Sequence, residues 1–356
     1  MTFLHALAII AVLQSVFLAL IVVLLFVNRT RSRLRADTSA RITADIAGPA
    51  QRWLVGEGSI TEVAEVLASL PVDRALEQMV VLATSRVGGS QLTDLAGTIA
   101  NYPWVDEVLE RAHSRYWWRR LDAARLLAVV GGPRHRDLLR QLLADDHPAV
   151  KGVATASIPR VADLDSVVLV LESLPRQPLV VRLYQFSMLK ETWWFASEAL
   201  LARMSPSSDP QSLETWVALS EAIGTSELLE RVCTLRSHES AAVRINVARA
   251  LKKYYHPDSA RALIDLLADP DWRVRAQAAR SIGTLNDEMS IEPLRNAMLD
   301  SQWWVRFRAA LALAQLGEKG RRALRTMRDS TDRYASEMAT MISGLSPGTI
   351  VEIAES

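Results

Sequence analysis

Apolar positions recur along this chain with a fixed long period. Between Ala262 and Leu313 the sequence runs ALIDLLADPDWRVRAQAARSIGTL and then PLRNAMLDSQWWVRFRAALAL. Each part is an apolar stretch ending in Asp, a short break, and a second apolar stretch that opens on Trp and Val-Arg. Basic anchors at Arg120, Lys151, Arg182, Arg244, Arg275 and Arg306 follow one another at 31 residues, or once at 62. A period between about 20 and 50 residues marks a solenoid of stacked units.

Each unit reads as a helical hairpin. Counted from the anchor, positions −1, +3, +4 and +7 are mostly Val, Ala, Ala and Leu or Ile, as in Val274, Ala278, Ala279 and Ile282. That spacing puts them on one face of an α-helix. The small residues let a neighbouring helix come close. Asp145, Asp269 and Asp300 stand six residues before an anchor, where an Asp is expected to cap the second helix. One hairpin cannot bury its apolar face alone, so stacked neighbours must supply the core.

The pattern sets the boundaries. Clear repeats are expected over 114–345, with degenerate hairpins over 51–113 as an amino-terminal cap. Within the cap, Pro71 and the pair Gly88-Gly89 read as breaks. The anchor position at 213 holds Leu213, and residues 190–225 drift out of register, as an irregular repeat or a kink would. Arg321–Met327 and Asp332–Leu345 read as a closing hairpin, and 346–356 as a short frayed tail.

Phe3 to Val27 is apolar except for His5, Gln14 and Ser15. A membrane span needs about 20 helical residues, so 1–28 is expected to be an uncleaved transmembrane anchor and 29–50 a basic juxtamembrane tether. Arg29, Arg31, Arg33 and Arg35 follow the span directly. The positive-inside rule then leaves the amino terminus outside and places the repeats on the cytoplasmic side of a cell (inner) membrane. The same arginines suit anionic lipid head groups.

The repeat resembles the HEAT repeat, in the short form also found in phycobilin lyase-type proteins. The Asp-x5-Arg spacing carries the resemblance, as Asp269 with Arg275 and Asp300 with Arg306. It is strongest over 228–316 and extends to 114–190. It implies an all-α solenoid, here preceded by one transmembrane helix. It also implies a hydrogen-bonded ladder of Asp269, Arg275, Asp300 and Arg306 between successive repeats, and second helices lining a concave side where family members hold partners.

Composition narrows the chemistry. A net charge of +1 gives no global pull toward nucleic acid, and none is expected as a partner. The single Cys233 permits no internal disulfide and reads as a small core residue on a first helix. Arg outnumbers Lys, in the manner of a GC-rich bacterial source. The six histidines are scattered without metal-ligand spacing. HEAT-like hydroxylases hold iron through repeated His-Glu pairs, whereas this chain has only His238-Glu239. No catalytic set, metal site or cofactor is expected.

On the second helices, positions −2, +2 and +5 lie opposite the core face. They supply Trp118, Arg125, Tyr184, Arg249, Arg273, Arg280, Trp304 and Arg308 as candidate partner-binding residues. Trp, Tyr and Arg are the types that dominate binding hot spots. Trp117, Trp272 and Trp303 recur at −3, a placement that suggests packing against the next repeat. The sequence therefore points to a membrane-anchored scaffold or adaptor for a protein partner, as in an accessory subunit of a membrane complex. Two other readings stay open. One is an enzyme or metal-binding protein with its site in the groove or in 190–225. The other is nucleic-acid binding by the Arg-rich face.

Overall fold

The computed structural model describes residues 46–84, 89–254, 256–285 and 287–355. The expected anchor 1–28, the arginines at 29, 31, 33 and 35, and most of the tether lie outside the described residues. Among the described residues, no helix is long and apolar enough to cross a membrane, and all regular secondary structure is helical.

The chain divides into two units at Gly132 and Pro133. The first holds α1 (46–54), α2 (Ile60–Ser69), α3 (Val72–Thr84), α4 (Gly89–Ile99), α5 (Pro103–Glu110) and α6 (Trp117–Val130). α2 packs on α4, and α3, α4 and α5 pack on α6. Ser59 caps α2, its Oγ accepting from the Thr61 N–H at 3.2 Å. Gly89, expected in a turn, begins α4 instead.

The second unit runs α7 (Arg136–Leu143), α8 (Pro148–Ala154), α9 (Ile158–Val161), α10 (Leu164–Ser173), α11 (Leu179–Glu191), α12 (Trp193–Arg203), α13 (Pro210–Ile223) and α14 (Ser226–Thr234). It continues with α15 (Ala241–Leu251), α16 (Pro257–Leu266), α17 (Trp272–Leu285), α18 (Ile291–Ala297), α19 (Trp303–Gln315), α20 (Gly317–Thr326), α21 (Arg333–Ser343) and α22 (Pro347–Glu355). Second helices α11, α13, α15, α17, α19 and α21 pack in series, each on the next. First helices do the same from α10 through α16, and again from α18 to α20.

The core is the face the spacing indicates. Val243, Val247, Ala248 and Leu251 of α15 are fully buried, as are Val274, Ala278, Ala279 and Ile282 of α17 and Val305, Ala309, Ala310 and Leu313 of α19. The paired alanines bring α17 against α19. Gly283 fits the same seam, where a Cβ would lie 3.1 Å from the Ala312 Cα.

The rungs between hairpins point forward. Arg244 donates from Nε and Nη2 to the Asp269 carboxylate at 2.7 and 2.9 Å, and Arg275 to that of Asp300 at 2.6 and 2.9 Å. Each arginine also donates from Nη1 to two carbonyls of its own hairpin turn: Arg244 to His238 and Glu239, Arg275 to Asp269 and Pro270. Arg306 keeps the turn contacts, to Asp300 and Ser301, but Thr331 stands where the next rung aspartate would. Its guanidinium lies over the Tyr334 ring at 5.0 Å instead. Removing one member of such a buried pair strands the other charge, although the intact pair adds little net stability. The aspartates are not helix caps as expected. Asp269 and Asp300 accept from the N–H two residues on, that of Asp271 and of Gln302, both at 2.8 Å. They brace the turn ahead of the helix, and Asp271 caps α17 by accepting from the Arg273 N–H.

Residues 190–225 hold a hairpin in sequence with the rest, α12 and α13. Only the rung is missing. Leu213 is fully buried at the anchor position, and His238 takes the place of the next aspartate. His238 Nδ1 accepts from the Ser240 N–H at 3.0 Å, which is the turn bond that Asp269 makes elsewhere. Two aromatic donors tie this hairpin to its neighbours. Trp216 Nε1 donates to the Leu171 carbonyl of α10 at 3.1 Å, and the Tyr254 hydroxyl donates to the Ser220 carbonyl of α13 at 2.9 Å.

The closing hairpin is α20 with α21, where Asp332 caps α21 by accepting from the Ala335 N–H at 2.8 Å. The tail is not frayed. It forms α22, which lies on α19. Ser346 Oγ accepts from the Thr349 N–H at 3.2 Å and Pro347 opens the helix, a residue pair suited to an amino-terminal turn.

Candidate functional site

The second helices carry their polar residues on the face away from the core, and the candidate ridge divides there into separate groups. Arg249 on α15 and Arg280 on α17 meet in one cleft of about 620 Å³, joined by Lys252 and Lys253. Gln277, Thr284 and Gln315 complete its polar lining, and among the described residues no acidic one lines it. Lys252 reaches Glu221 at 3.5 Å, and Arg249 donates to Asn246 Oδ1 at 3.1 Å. The cations gather because Arg249 in the last turn of α15, and Lys252 and Lys253 just past its end, lie on a helix packed against α17.

The far wall of the cleft is the chain's own α22, through Val351 and Ala354. Arg280 Nη2 donates to the Ala354 carbonyl at 3.1 Å, and Arg308 Nη1 to the Ile353 carbonyl at 3.4 Å. Burial, together with the neighbouring Arg280, lowers the Arg308 pKa from its ordinary value.

The other candidates lie apart. Trp118 and Arg125 belong to the first unit. Trp118 borders a mixed-charge cleft there with Arg111, Arg119 and Asp122, and Arg125 sits 3.6 Å from Asp122. Burial raises the Asp122 pKa against the pull of Arg111 and Arg125. Tyr184 is exposed on α11. Arg273 folds back on Asp271 at 2.6 Å. That hydrogen bond is the main reason the Asp271 carboxyl is held down to about 2. Trp304 stands edge-on to Trp303 and Phe307.

The tryptophans at −3 are not sealed by the next repeat. Trp117, Trp272 and Trp303 keep 38–44 % of their surface exposed. Trp303 stacks on Phe307 of its own helix with ring centroids 4.8 Å apart.

Sequence reasoning missed Lys252, Lys253 and the α22 residues. The lysines fall just past the last core position of α15, outside the ridge pattern. The signal for α22 was present in Ser346-Pro347 and in the spacing of Ile350, Val351, Ile353 and Ala354.

A second cavity, between α14 and α16, is lined by Cys233, His256 and Asp258. Cys233 is half-buried there and is not a core residue. Burial pushes its thiol pKa up although Arg236 opposes this, so the nucleophilic thiolate is disfavoured. His256 Nδ1 is engaged with the Asp258 N–H at 3.2 Å. Among the described residues, no group of His, Cys, Asp and Glu has the arrangement of a metal site.

Comparison with known proteins rests on the repeats. No curated protein matches the chain. Solved structures that align with it include a chain of the CpcE–CpcF complex of phycocyanin lyase from Nostoc sp. PCC7120. That alignment has 17 % identity, covers 67 % of this chain and 93 % of that chain, and has a TM-score of 0.29. Human deoxyhypusine hydroxylase aligns at 18 % identity over 70 % of this chain and 96 % of its own, with a TM-score of 0.30. A chain of the Pds5–Scc1 complex aligns at 13 % identity over 90 % of this chain and 63 % of its own, with a TM-score of 0.36. Residues 197–272 and 260–342 match the family model for HEAT repeats, so this part of the chain is similar to a HEAT-repeat stack.

Proposed function

We propose that the chain is a HEAT-repeat adaptor that holds a protein partner on its second-helix face, and that an acidic element of the partner enters the cleft of Arg249, Lys252, Lys253 and Arg280. The supporting observation is the lining of that cleft, where four cations gather and, among the described residues, no carboxylate does, although Lys252 reaches out of it to Glu221. Like charges held together cost free energy that an acidic ligand relieves, and such a patch also steers encounter. In the same reading the apolar run Phe3–Val27 tethers the chain to a membrane with its repeats on the cytoplasmic side. Arg29, Arg31, Arg33 and Arg35 then lie beside anionic lipid. Tethering raises the effective concentration near a membrane complex.

The test is affinity purification of the full chain from native membranes in mild detergent, read by mass spectrometry. Wild type is compared with Arg249→Glu/Lys253→Glu. The expected result is a defined partner captured by wild type and depleted at least tenfold by the double variant. Equal capture by both chains would remove the cleft from the reading. Binding to nucleic acid that falls steeply with salt would replace the protein partner with a phosphate backbone.

A further inference from the structure

The cleft already contains a ligand-like element. The last carbonyls of a helix have no partner within it and carry the negative end of its dipole. In α22 the carbonyls of Ile353 and Ala354 are instead met by guanidinium groups, Arg308 from α19 and Arg280 from α17. Ile350 is buried at the base of α22, while Val351 faces the cleft and stays half-exposed. Thus α22 is seated by one apolar side chain and by its carboxy-terminal end. It fills one wall of the cleft that Arg249, Lys252 and Lys253 also line.

We infer that this groove is a receptor for the carboxy-terminal end of a short amphipathic helix, that α22 is its resident occupant, and that the partner docks a helix of the same kind by displacing α22. The helix that fits has one apolar face, as Ile350 and Ile353 provide here, and acidic residues in its last turns, as Glu352 and Glu355 provide in sequence. This rests on the second-helix face being the binding face. It adds the chemistry of the docking element and makes the tail a competitor. A tethered competitor acts at an effective concentration of about millimolar, so an external helix of micromolar affinity binds the intact chain weakly until the tail is unseated.

Two measurements on the full chain in detergent test this, and neither contains the partner. The first is hydrogen exchange of the 350–354 amides in wild type and in Arg280→Ala/Arg308→Ala, with the α13 and α15 amides as the reference for an intact stack. Exchange in α22 is expected to speed up at least tenfold in the variant while the reference stays fixed. Unchanged exchange in α22 would show that the arginines do not hold it. The second is fluorescence anisotropy with a labelled synthetic peptide of residues 345–356. Ile350→Asp, which unseats α22 without touching the groove, is expected to bind the peptide at least tenfold more tightly than wild type. Equal or absent binding by both chains overturns the inference. If the peptide binds as expected but partner capture is indifferent to Arg249 and Lys253, α22 is a displaceable occupant of the groove, but the proposed function fails and with it the partner's docking there. The reverse pattern fails the inference alone.

Discussion

Arg275 donates from two nitrogens to the two carboxylate oxygens of Asp300, at 2.6 and 2.9 Å, and so clamps its hairpin to the next one along the chain. Both side chains are largely buried. Arg275→Met leaves the Asp300 charge without its main partner and should cost about 3 kcal/mol in urea unfolding. Asp300→Asn should cost less, because the amide oxygen still accepts one hydrogen bond. The double variant should recover part of the loss. Strict additivity of the two single effects would mean that the pair is not coupled.

The same pair predicts an acid limb. Burial alone would raise the Asp300 pKa, but the Arg275 hydrogen bond, the Gln302 N–H and the charges of Arg275 and Arg306 outweigh it and hold the carboxyl below its ordinary value. A carboxyl lowered in the folded state contributes its stability above its unfolded pKa, about 3.9. That contribution is lost as pH falls through the lower folded value. Unfolding free energy measured from pH 6 down to pH 3 should fall less steeply in Asp300→Asn than in wild type.

Tyr254 sets the opposite limb. Burial raises its phenol to about 12, against the Ser220 carbonyl hydrogen bond. A phenol raised on folding contributes fully below its unfolded pKa, about 10, and that contribution is lost as pH rises toward 12. Difference absorbance should show one tyrosine absent from the titration near pH 10. Tyr254→Phe should remove this protected phenol and lower stability by about 1 kcal/mol, the Ser220 carbonyl keeping its second hydrogen bond, from the Gly224 N–H.

Gly320 of α20 admits no side chain. A Cβ there would collide with the Leu313 carbonyl oxygen and lie 2.7 Å from the Leu316 Cβ. Gly320→Ala should therefore destabilise by about 1–3 kcal/mol, although alanine favours an unconstrained helix by about 1 kcal/mol. A thermal midpoint at or above that of wild type would show that α20 shifts freely.

The helical hairpins were legible because the core positions of the second helix are filled by the same small set of residues at every turn of the stack. The match is complete in α15, α17 and α19, where all four predicted core positions are buried. Reading stopped at Leu213 because the register was carried by one side chain type. The α12–α13 hairpin keeps its packing but exchanges the ion pair for the Trp216 and Tyr254 hydrogen bonds, which leave no periodic mark. The cleft was half legible. Arg249 and Arg280 follow from helix geometry, but their grouping with Lys252 and Lys253 depends on where α15 ends. The Arg280 and Arg308 contacts depend on α22 folding back over 74 and 45 residues of chain. No local pattern encodes such a contact.

The forward direction of the rungs has a consequence for how a chain of this kind grows. A tandem copy of 256–286, the α16–α17 hairpin, would arrive with an arginine for the hairpin after it and an aspartate for the hairpin before it. Gene duplication in 31-residue steps therefore lengthens this end of the stack with no new interface to evolve. A copy of the Leu213 hairpin would carry neither half of a rung and would need its Trp216 and Tyr254 partners as well. Lineages of this protein should accordingly differ in repeat number on the carboxy-terminal side of 213, and each added step would carry α22 one hairpin further along, moving the end of the groove with it.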